Sequence, residues 1–225
     1  MCGFWNIRKK SKNTYDSVVE LLEKNNIASL RKKTKILIVD DEDEDIYQVL
    51  KERQYDVYYK KDMTYSIEAE PFDIMLIDIR GVAKRLRSGM EGFALACSIK
   101  SKYPLKRVCC YSGSVHEEIS EQLADKKIDA FFIKDMDLDK ICDKIDNLIL
   151  DYVNIEKQWE VLRDEMVKNR VSELDIQKIR KIYFSSFSSG NFIELNDVIM
   201  STLKNSTVML NITSSIITLI KVLAV

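Results

Sequence analysis

The stretch that decides the fold runs from Phe72 to Arg80 and reads FDIMLIDIR. Four consecutive apolar residues lie between Asp73 and Asp78, and a run of this kind predicts a strand buried on both faces of a parallel sheet. Open α/β sheets bind their ligands beyond the carboxyl ends of the strands. Asp78 therefore stands where the chemistry of such a protein is expected.

Strand patterns and helix patterns alternate on both sides of this stretch, which is typical of βα units. The other predicted strands are residues 35–39, 56–59, 107–111 and 130–133. The helices predicted between them are residues 46–50, 64–69, 93–103 and 117–125, with a last helix that begins at Asp137. We therefore expect an α/β fold over residues 34–150, with five parallel strands in a doubly wound sheet.

Distinctive polar residues follow four of the five predicted strands: Asp40 and Asp41, Asp78, Ser112, and Lys134. The ends of parallel strands meet at one edge of the sheet, where three carboxylates would repel each other unless a cation lay among them. Mg²⁺ is the expected cation because it prefers oxygen ligands. A lysine and a hydroxyl beside a metal-bound acid are suited to phosphoryl transfer onto a carboxylate.

These residues, in this order, resemble the receiver domain of two-component response regulators. The segments that carry the resemblance are IVDDE at 38–42, LID at 76–78, YSG at 111–113 and FFIK at 131–134. The resemblance implies a flavodoxin-like fold, with Asp78 accepting a phosphoryl group from a sensor histidine kinase or a phosphotransfer protein. It also implies that Asp41 binds Mg²⁺ directly, that Asp40 binds it through water, and that the Arg80 backbone carbonyl is a further ligand. Lys134 and Ser112 would contact the phosphoryl group. Phe131 would be an aromatic switch.

The sequence departs from the receiver pattern in two places. The loop at 79–91 is about six residues longer than usual, carries Lys84, Arg85 and Arg87, and places Met90-Glu91-Gly92 where the family has its Asp-Gly pair. We expect a surface insertion there, and the alternative is a loop that recognises a kinase or shields the phosphoaspartate. Asp135 replaces the usual proline after Lys134, which predicts either a cis peptide bond or a different loop path. A receiver that is never phosphorylated and acts as a scaffold remains an alternative.

Charge and composition narrow the function further. Residues 1–33 carry eight basic and three acidic side chains and are expected to form a helix at 15–29 and a basic linker at 31–33. Residues 34–150 are acidic and residues 151–225 are neutral, so no broad basic surface for nucleic acid is expected. One histidine and an odd number of cysteines, five, favour a cytoplasmic protein without a histidine or cysteine metal site. No P-loop or HExxH motif is present, so the chain is not expected to be an enzyme.

The chain beyond the receiver is predicted to be a helical output region, residues 151–225. Apolar residues with heptad spacing run through it from the last receiver helix: Ile141, Ile145, Leu148, Tyr152, Ile155, Trp159, Leu162 and Met166. From Tyr152 onward they are predicted to form the seam of a homodimer, and the alternative is packing against the chain's own later helices.

Further along, we predict a helix capped by Ser172, a loop at 185–191, a helix at 193–203, and a buried helix rather than a membrane span at 208–225. Protein contact is the expected output. A divergent DNA-binding domain and a membrane-tethered adaptor are the alternatives.

Overall fold

The computed structural model describes residues 26–42, 44–86, 91–113, 128–202, 213, 216, 219, 220, 222 and 223. The chain divides into two compact units. We call residues 27–154 the sheet unit and the residues from Ile155 onward the helical unit.

Five strands form one sheet in the sheet unit, and every neighbouring pair is parallel. The strands are β1 (Lys35–Val39), β2 (Asp56–Lys60), β3 (Ile74–Asp78), β4 (Arg107–Ser112) and β5 (Ala130–Ile133). Their order, β2-β1-β3-β4-β5, is that of the flavodoxin-like doubly wound fold. The predicted fold class is therefore confirmed.

Strand β3 lies at the centre of this sheet, as the apolar stretch predicts. All five of its residues are buried. In register, Ile77 pairs with Val39 of β1 on one side, and Asp78 pairs with Tyr111 of β4 on the other. The strand order reverses between β1 and β3, so the residues that follow these two strands flank the crevice where such sheets bind ligands.

The described helices of the sheet unit are α1 (Ile27–Lys33), α2 (Asp45–Glu52), α3 (Glu91–Lys102) and α4 (Leu138–Val153), with short 3-10 turns at Ser66–Ala69 and Lys84–Leu86. Helix α4 begins directly after Asp137, as predicted, and the Asp137 side chain caps it by accepting hydrogen bonds from two backbone N–H groups of the first turn. The helix predicted at 117–125 lies outside the described residues.

The prediction of a basic linker at 31–33 is wrong, because these residues form the last turn of α1. The Arg31 guanidinium donates to both carboxylate oxygens of Asp146 on α4, at 2.9 and 2.5 Å, and lies over the ring of Tyr55. This contact binds α1 to the sheet unit, which therefore begins at Ile27 rather than at Thr34. The part of the predicted helix before residue 26 lies outside the described residues.

A buried hydrogen bond joins the end of α4 to the start of the central strand. The Tyr152 hydroxyl donates to Asp73 Oδ1 at 2.7 Å, and the Lys35 backbone N–H donates to Asp73 Oδ2 at 2.8 Å. Tyr152 and Asp73 are each 1% exposed. A buried carboxylate needs such donors because its transfer from water is costly.

We expect Tyr152→Phe to lower the free energy of unfolding by about 2 kcal/mol, since it leaves one oxygen of a buried acid without this donor. Urea denaturation of the variant and the wild type measures the difference. Tyr65→Phe is the matched control because Tyr65 is 61% exposed. Equal losses in the two variants would contradict the role assigned to the Tyr152 hydroxyl.

The helical unit contains α5 (Ile155–Lys168), α6 (Glu173–Ser189) and α7 (Ile193–Thr202). The Ser172 side chain caps α6 as predicted, accepting from the Asp175 backbone N–H at 3.2 Å. The loop predicted at 185–191 is wrong, because α6 continues to Ser189 and ends only at Gly190, whose φ is +72°. Among the described residues of the tail, Thr213, Ile216, Leu219, Val222 and Leu223 are helical and buried.

The residues with heptad spacing do not lie on one continuous helix, because the chain leaves helical geometry at Asn154. Tyr152 is buried in the sheet unit, whereas the remaining seam residues are buried in the helical unit: Ile155, Trp159, Leu162 and Met166. The Trp159 ring packs against Tyr183 and Phe184 of α6. The seam residues of α5 therefore pack inside the chain, which is the alternative left open by the sequence. The homodimer itself stays a prediction.

In the described part of the chain, no helix is both long enough and apolar enough to span a bilayer.

Candidate functional site

Three carboxylates meet at the carboxyl edge of the sheet. Asp40 and Asp41 follow β1, and Asp78 ends β3. One oxygen atom from each lies within 4.8 Å of the others. Asp40 is fully buried and Asp78 is 7% exposed, whereas Asp41 is partly exposed. The strand ends thus bring together the acids that the sequence proposed as metal ligands.

The Lys134 ammonium lies between two of these acids. Its Nζ atom is 2.7 Å from Asp78 Oδ2 and 2.8 Å from Asp40 Oδ2. The backbone holds this position, because the Lys134 N–H donates to the Ser112 carbonyl at 2.9 Å and so extends the pairing of β5 with β4. The lysine predicted from the sequence therefore lies in direct contact with the proposed phosphoacceptor.

Burial and charge oppose each other at this site. Burial raises the pKa of Asp78 above its ordinary value, the hydrogen bond and charge of Lys134 act to lower it, and the neighbouring Asp40 charge raises it again. Burial also acts to lower the pKa of Lys134, but its hydrogen bonds to Asp40 and Asp78 outweigh burial and raise that pKa. The ammonium is therefore firmly charged at neutral pH.

Tyr111 is a site residue that the sequence did not reveal. Its hydroxyl donates to Asp40 Oδ2 at 2.5 Å, and the Lys134 ammonium lies 5.0 Å from the centre of its ring. Tyr111 is the register partner of Asp78 across β3 and β4. That register is the signal that would have placed Tyr111 in the site, and it cannot be read from the sequence alone.

Ser112 and Phe131, the predicted switch residues, also lie near this edge. Ser112 is the last residue of β4, directly after Tyr111, and is 6% exposed. Phe131 pairs in register with Cys110 and packs, partly buried, against the hydrophobic core. Their positions fit the roles implied by the resemblance, which stay predictions.

The loop after Asp78 is packed against the site. The Arg80 backbone N–H donates to Asp78 Oδ1 at 3.4 Å, so Arg80 lies beside the proposed acceptor. The role of its carbonyl as a metal ligand stays a prediction. Val82 and Ala83 are fully buried, and the Ala83 N–H donates to Asp62 Oδ1 at 2.6 Å. The prediction of a surface insertion is therefore wrong for this part of the loop, and residues 87–90 lie outside the described part.

A second lysine reaches the acidic cluster from this loop. Lys84 Nζ lies 3.0 Å from Asp41 Oδ2. The sequence identified Lys84 as a basic loop residue but gave no sign of this contact, because the path of an insertion cannot be read from its composition.

Receiver domains have an Asp-Gly pair after the phosphoacceptor, and Gly92 stands where the sequence predicted the glycine of that pair. Its backbone N–H donates to the Ile79 carbonyl at 3.1 Å, so α3 begins directly against the end of β3. A Cβ atom at Gly92 would lie 1.7 Å from the Asp78 carbonyl oxygen. Glycine is therefore required for this close approach.

The second departure from the receiver pattern is Asp135, which replaces the usual proline after Lys134. No cis peptide bond occurs in the described ranges, which include Lys134 and Asp135, so the loop takes a trans path with aspartate in the proline position.

No protein-family model and no curated protein matches the sequence. Several solved structures do match. A CheY-like response regulator receiver domain from Methanospirillum hungatei is 22% identical, with a TM-score of 0.45 over 53% of this chain and 95% of that chain. The receiver domain of NtrX from Brucella abortus is 20% identical, with a TM-score of 0.43 over 51% of this chain and 97% of that chain.

A two-component response regulator from Clostridium difficile is 18% identical, with a TM-score of 0.44 over 54% of this chain and 98% of that chain. These similarities concern the fold and extend over about half of the chain. The sheet unit has the fold class predicted from the sequence. The solved structures to which it is similar are response regulators or their receiver domains.

Proposed function

We propose that the chain is a response regulator of a two-component phosphorelay and that Asp78 is its phosphoacceptor. The observation that supports this most directly is the Lys134 ammonium, held 2.7 Å from Asp78 within a cluster of three carboxylates. A carboxylate paired with a fixed ammonium at a central strand end is suited to accept a group that carries negative charge. The receiver-like fold agrees with this proposal.

The transfer is a displacement at phosphorus. A carboxylate oxygen of Asp78 attacks the phosphorus atom of a phosphohistidine on a histidine kinase or phosphotransfer protein. The new P–O bond forms as the P–N bond breaks, and the electron pair of that bond returns to the imidazole. Lys134 pairs with the negative charge of the transferred group, and the Ser112 hydroxyl donates to one of its oxygens.

The acidic cluster fits Mg²⁺ because it offers hard oxygen donors from three carboxylates. Asp40, Asp41 and Asp78, together with the Arg80 carbonyl, are the groups that would hold it. When bound, Mg²⁺ supplies positive charge that neutralises the phosphoryl oxygens.

Phosphorylation would shift the sheet unit between two conformations, with Ser112 and Phe131 as the switch residues. We propose that the helical unit passes this change to a protein partner in the cytoplasm. Residues 151–225 carry nine basic and nine acidic side chains, a balance that favours protein contact over nucleic acid.

A scaffold that is never phosphorylated is the second candidate. It is supported by the contact between Lys84 and Asp41, because an ammonium already neutralises one of the proposed metal ligands. Phosphoryl uptake distinguishes the two candidates.

The test uses a small acyl phosphate donor with Mg²⁺, and intact mass spectrometry of the full chain reports the transfer. We expect the wild type to gain one phosphoryl group and Asp78→Asn to gain none. Asp135→Asn is the matched control, since Asp135 is an exposed acid next to the site. Uptake that persists in Asp78→Asn would overturn the assigned acceptor, and no uptake by any of the three proteins would favour the scaffold.

A further inference from the structure

Two lysines form ion pairs with the three acids of the cluster. Lys134 contacts Asp78 and Asp40, and Lys84 Nζ lies 3.0 Å from Asp41 Oδ2. Asp41 is the acid to which the proposed function gives the direct bond to Mg²⁺. The carboxylate that would bind the metal therefore already accepts a hydrogen bond from an ammonium of the chain itself.

The loop backbone sets this contact. Gly81 has a φ of +82°, and a Cβ atom there would lie 1.9 Å from Asp41 Oδ1, so the loop runs directly against the Asp41 carboxylate. Val82 and Ala83 are then fully buried, and the Ala83 N–H is bound to Asp62. Lys84 follows at once, so its side chain starts from a fixed point beside Asp41.

The ammonium itself is held more loosely than the backbone. The Lys84 side chain is 67% exposed and that of Asp41 is 24% exposed. Exposed ion pairs are weak, because water screens the charges and the lysine side chain loses rotational freedom. A divalent ion can therefore displace Lys84 from Asp41, at the cost of breaking this pair and of repulsion between the two cations.

We propose that Lys84 is an internal counter-cation that competes with the divalent metal ion for Asp41 and so lowers the metal affinity of the site. This inference rests on the proposed function, because it concerns the metal site assigned there. Through Lys84, the long loop after Asp78 would then set the concentration of Mg²⁺ that phosphorylation of Asp78 requires. Arg85 lies next to Lys84 in the same loop and is exposed, so it offers a control of equal charge.

The test is calorimetric titration of the full chain with MgCl₂ in the absence of any phosphoryl donor. We expect Lys84→Gln to bind Mg²⁺ about fivefold more tightly than the wild type, as loss of competition from an exposed ion pair implies. Arg85→Gln, which removes the same charge from the same loop, should stay within about twofold of the wild type. Circular dichroism checks that both variants are folded.

An equal dissociation constant in Lys84→Gln and the wild type would overturn the inference while leaving the metal site in place. Weaker binding in Lys84→Gln would also overturn it, because Lys84 would then assist the metal. If Arg85→Gln gained as much Mg²⁺ affinity as Lys84→Gln, the gain would come from the lower net charge of the loop, and the specific role of Lys84 would be overturned. Absence of Mg²⁺ binding in all three proteins would overturn the metal site itself, and the inference with it.

Discussion

Replacing Gly92 with alanine should destabilise the sheet unit by about 2–3 kcal/mol. The new Cβ atom would lie 1.7 Å from the Asp78 carbonyl oxygen and 2.9 Å from the Val82 side chain. Alanine is favoured over glycine inside a helix by about 1 kcal/mol. A clash with backbone cannot be relieved by rotation of a side chain, so it outweighs that gain and forces α3 away from the end of β3.

Urea denaturation followed by circular dichroism measures this loss. Gly113→Ala is the matched control, because a Cβ atom there has no atom within 4 Å and the residue is exposed. We expect the control to stay within about 0.5 kcal/mol of the wild type. Unchanged or higher stability in Gly92→Ala would show that α3 does not begin against Asp78 as described.

Replacing Lys134 with methionine should lower both stability and phosphoryl uptake. Asp40 would keep its hydrogen bond from Tyr111, but it would lose the ammonium and face the charge of Asp78. These ion pairs are only partly buried, so removing the lysine should cost about 2 kcal/mol, between the values for exposed and fully buried pairs. Loss of a cation aimed at the transferred group should slow phosphoryl uptake about 100-fold.

The contribution of Lys134 to the stability of the fold should depend on pH in a defined direction. The folded pKa of Lys134 lies above its ordinary value of 10.5, because its bonds to Asp40 and Asp78 outweigh burial. Its contribution is therefore fully present at neutral pH and is lost as the pH rises through that folded value. Towards acid, protonation of Asp78, whose folded pKa is raised by burial, weakens its bond to Lys134. The difference in stability between wild type and Lys134→Met should therefore narrow at both ends of the pH range.

Denaturation at several pH values, together with mass spectrometry of phosphoryl uptake, checks both effects. Lys140→Met is the control of equal charge, because Lys140 is exposed on α4. A stability difference for Lys134→Met that matched this control, or that did not change with pH, would contradict the ion pairs assigned to Lys134.

The sheet was predictable because its signals are local. The apolar run before Asp78 is typical of a strand buried on both faces of a parallel sheet, and strand patterns alternate with helix patterns on both sides of it. The ends of such strands must meet at one edge, so the sequence also predicted that Asp40, Asp41, Asp78 and Lys134 lie together.

The remaining features depend on contacts that one sequence does not specify. Tyr111 joins the site through strand register, and Lys84 joins it through the path of a loop. The heptad pattern continued across Asn154 because Tyr152 and Trp159 are both buried apolar positions, although they belong to different units. Spacing predicts which face of a helix is buried but does not identify what covers it.

The most direct test of the central claim is to identify the atom that carries the phosphoryl group. Borohydride reduces the acyl phosphate of an aspartate to the alcohol of homoserine, whereas a free carboxylate does not react. After treatment of the full chain with an acyl phosphate donor and Mg²⁺, then borohydride, peptide mass spectrometry should find homoserine at position 78 and at no other aspartate. Homoserine at another position, or none in a chain that has taken up phosphate, would contradict Asp78 as the phosphoacceptor.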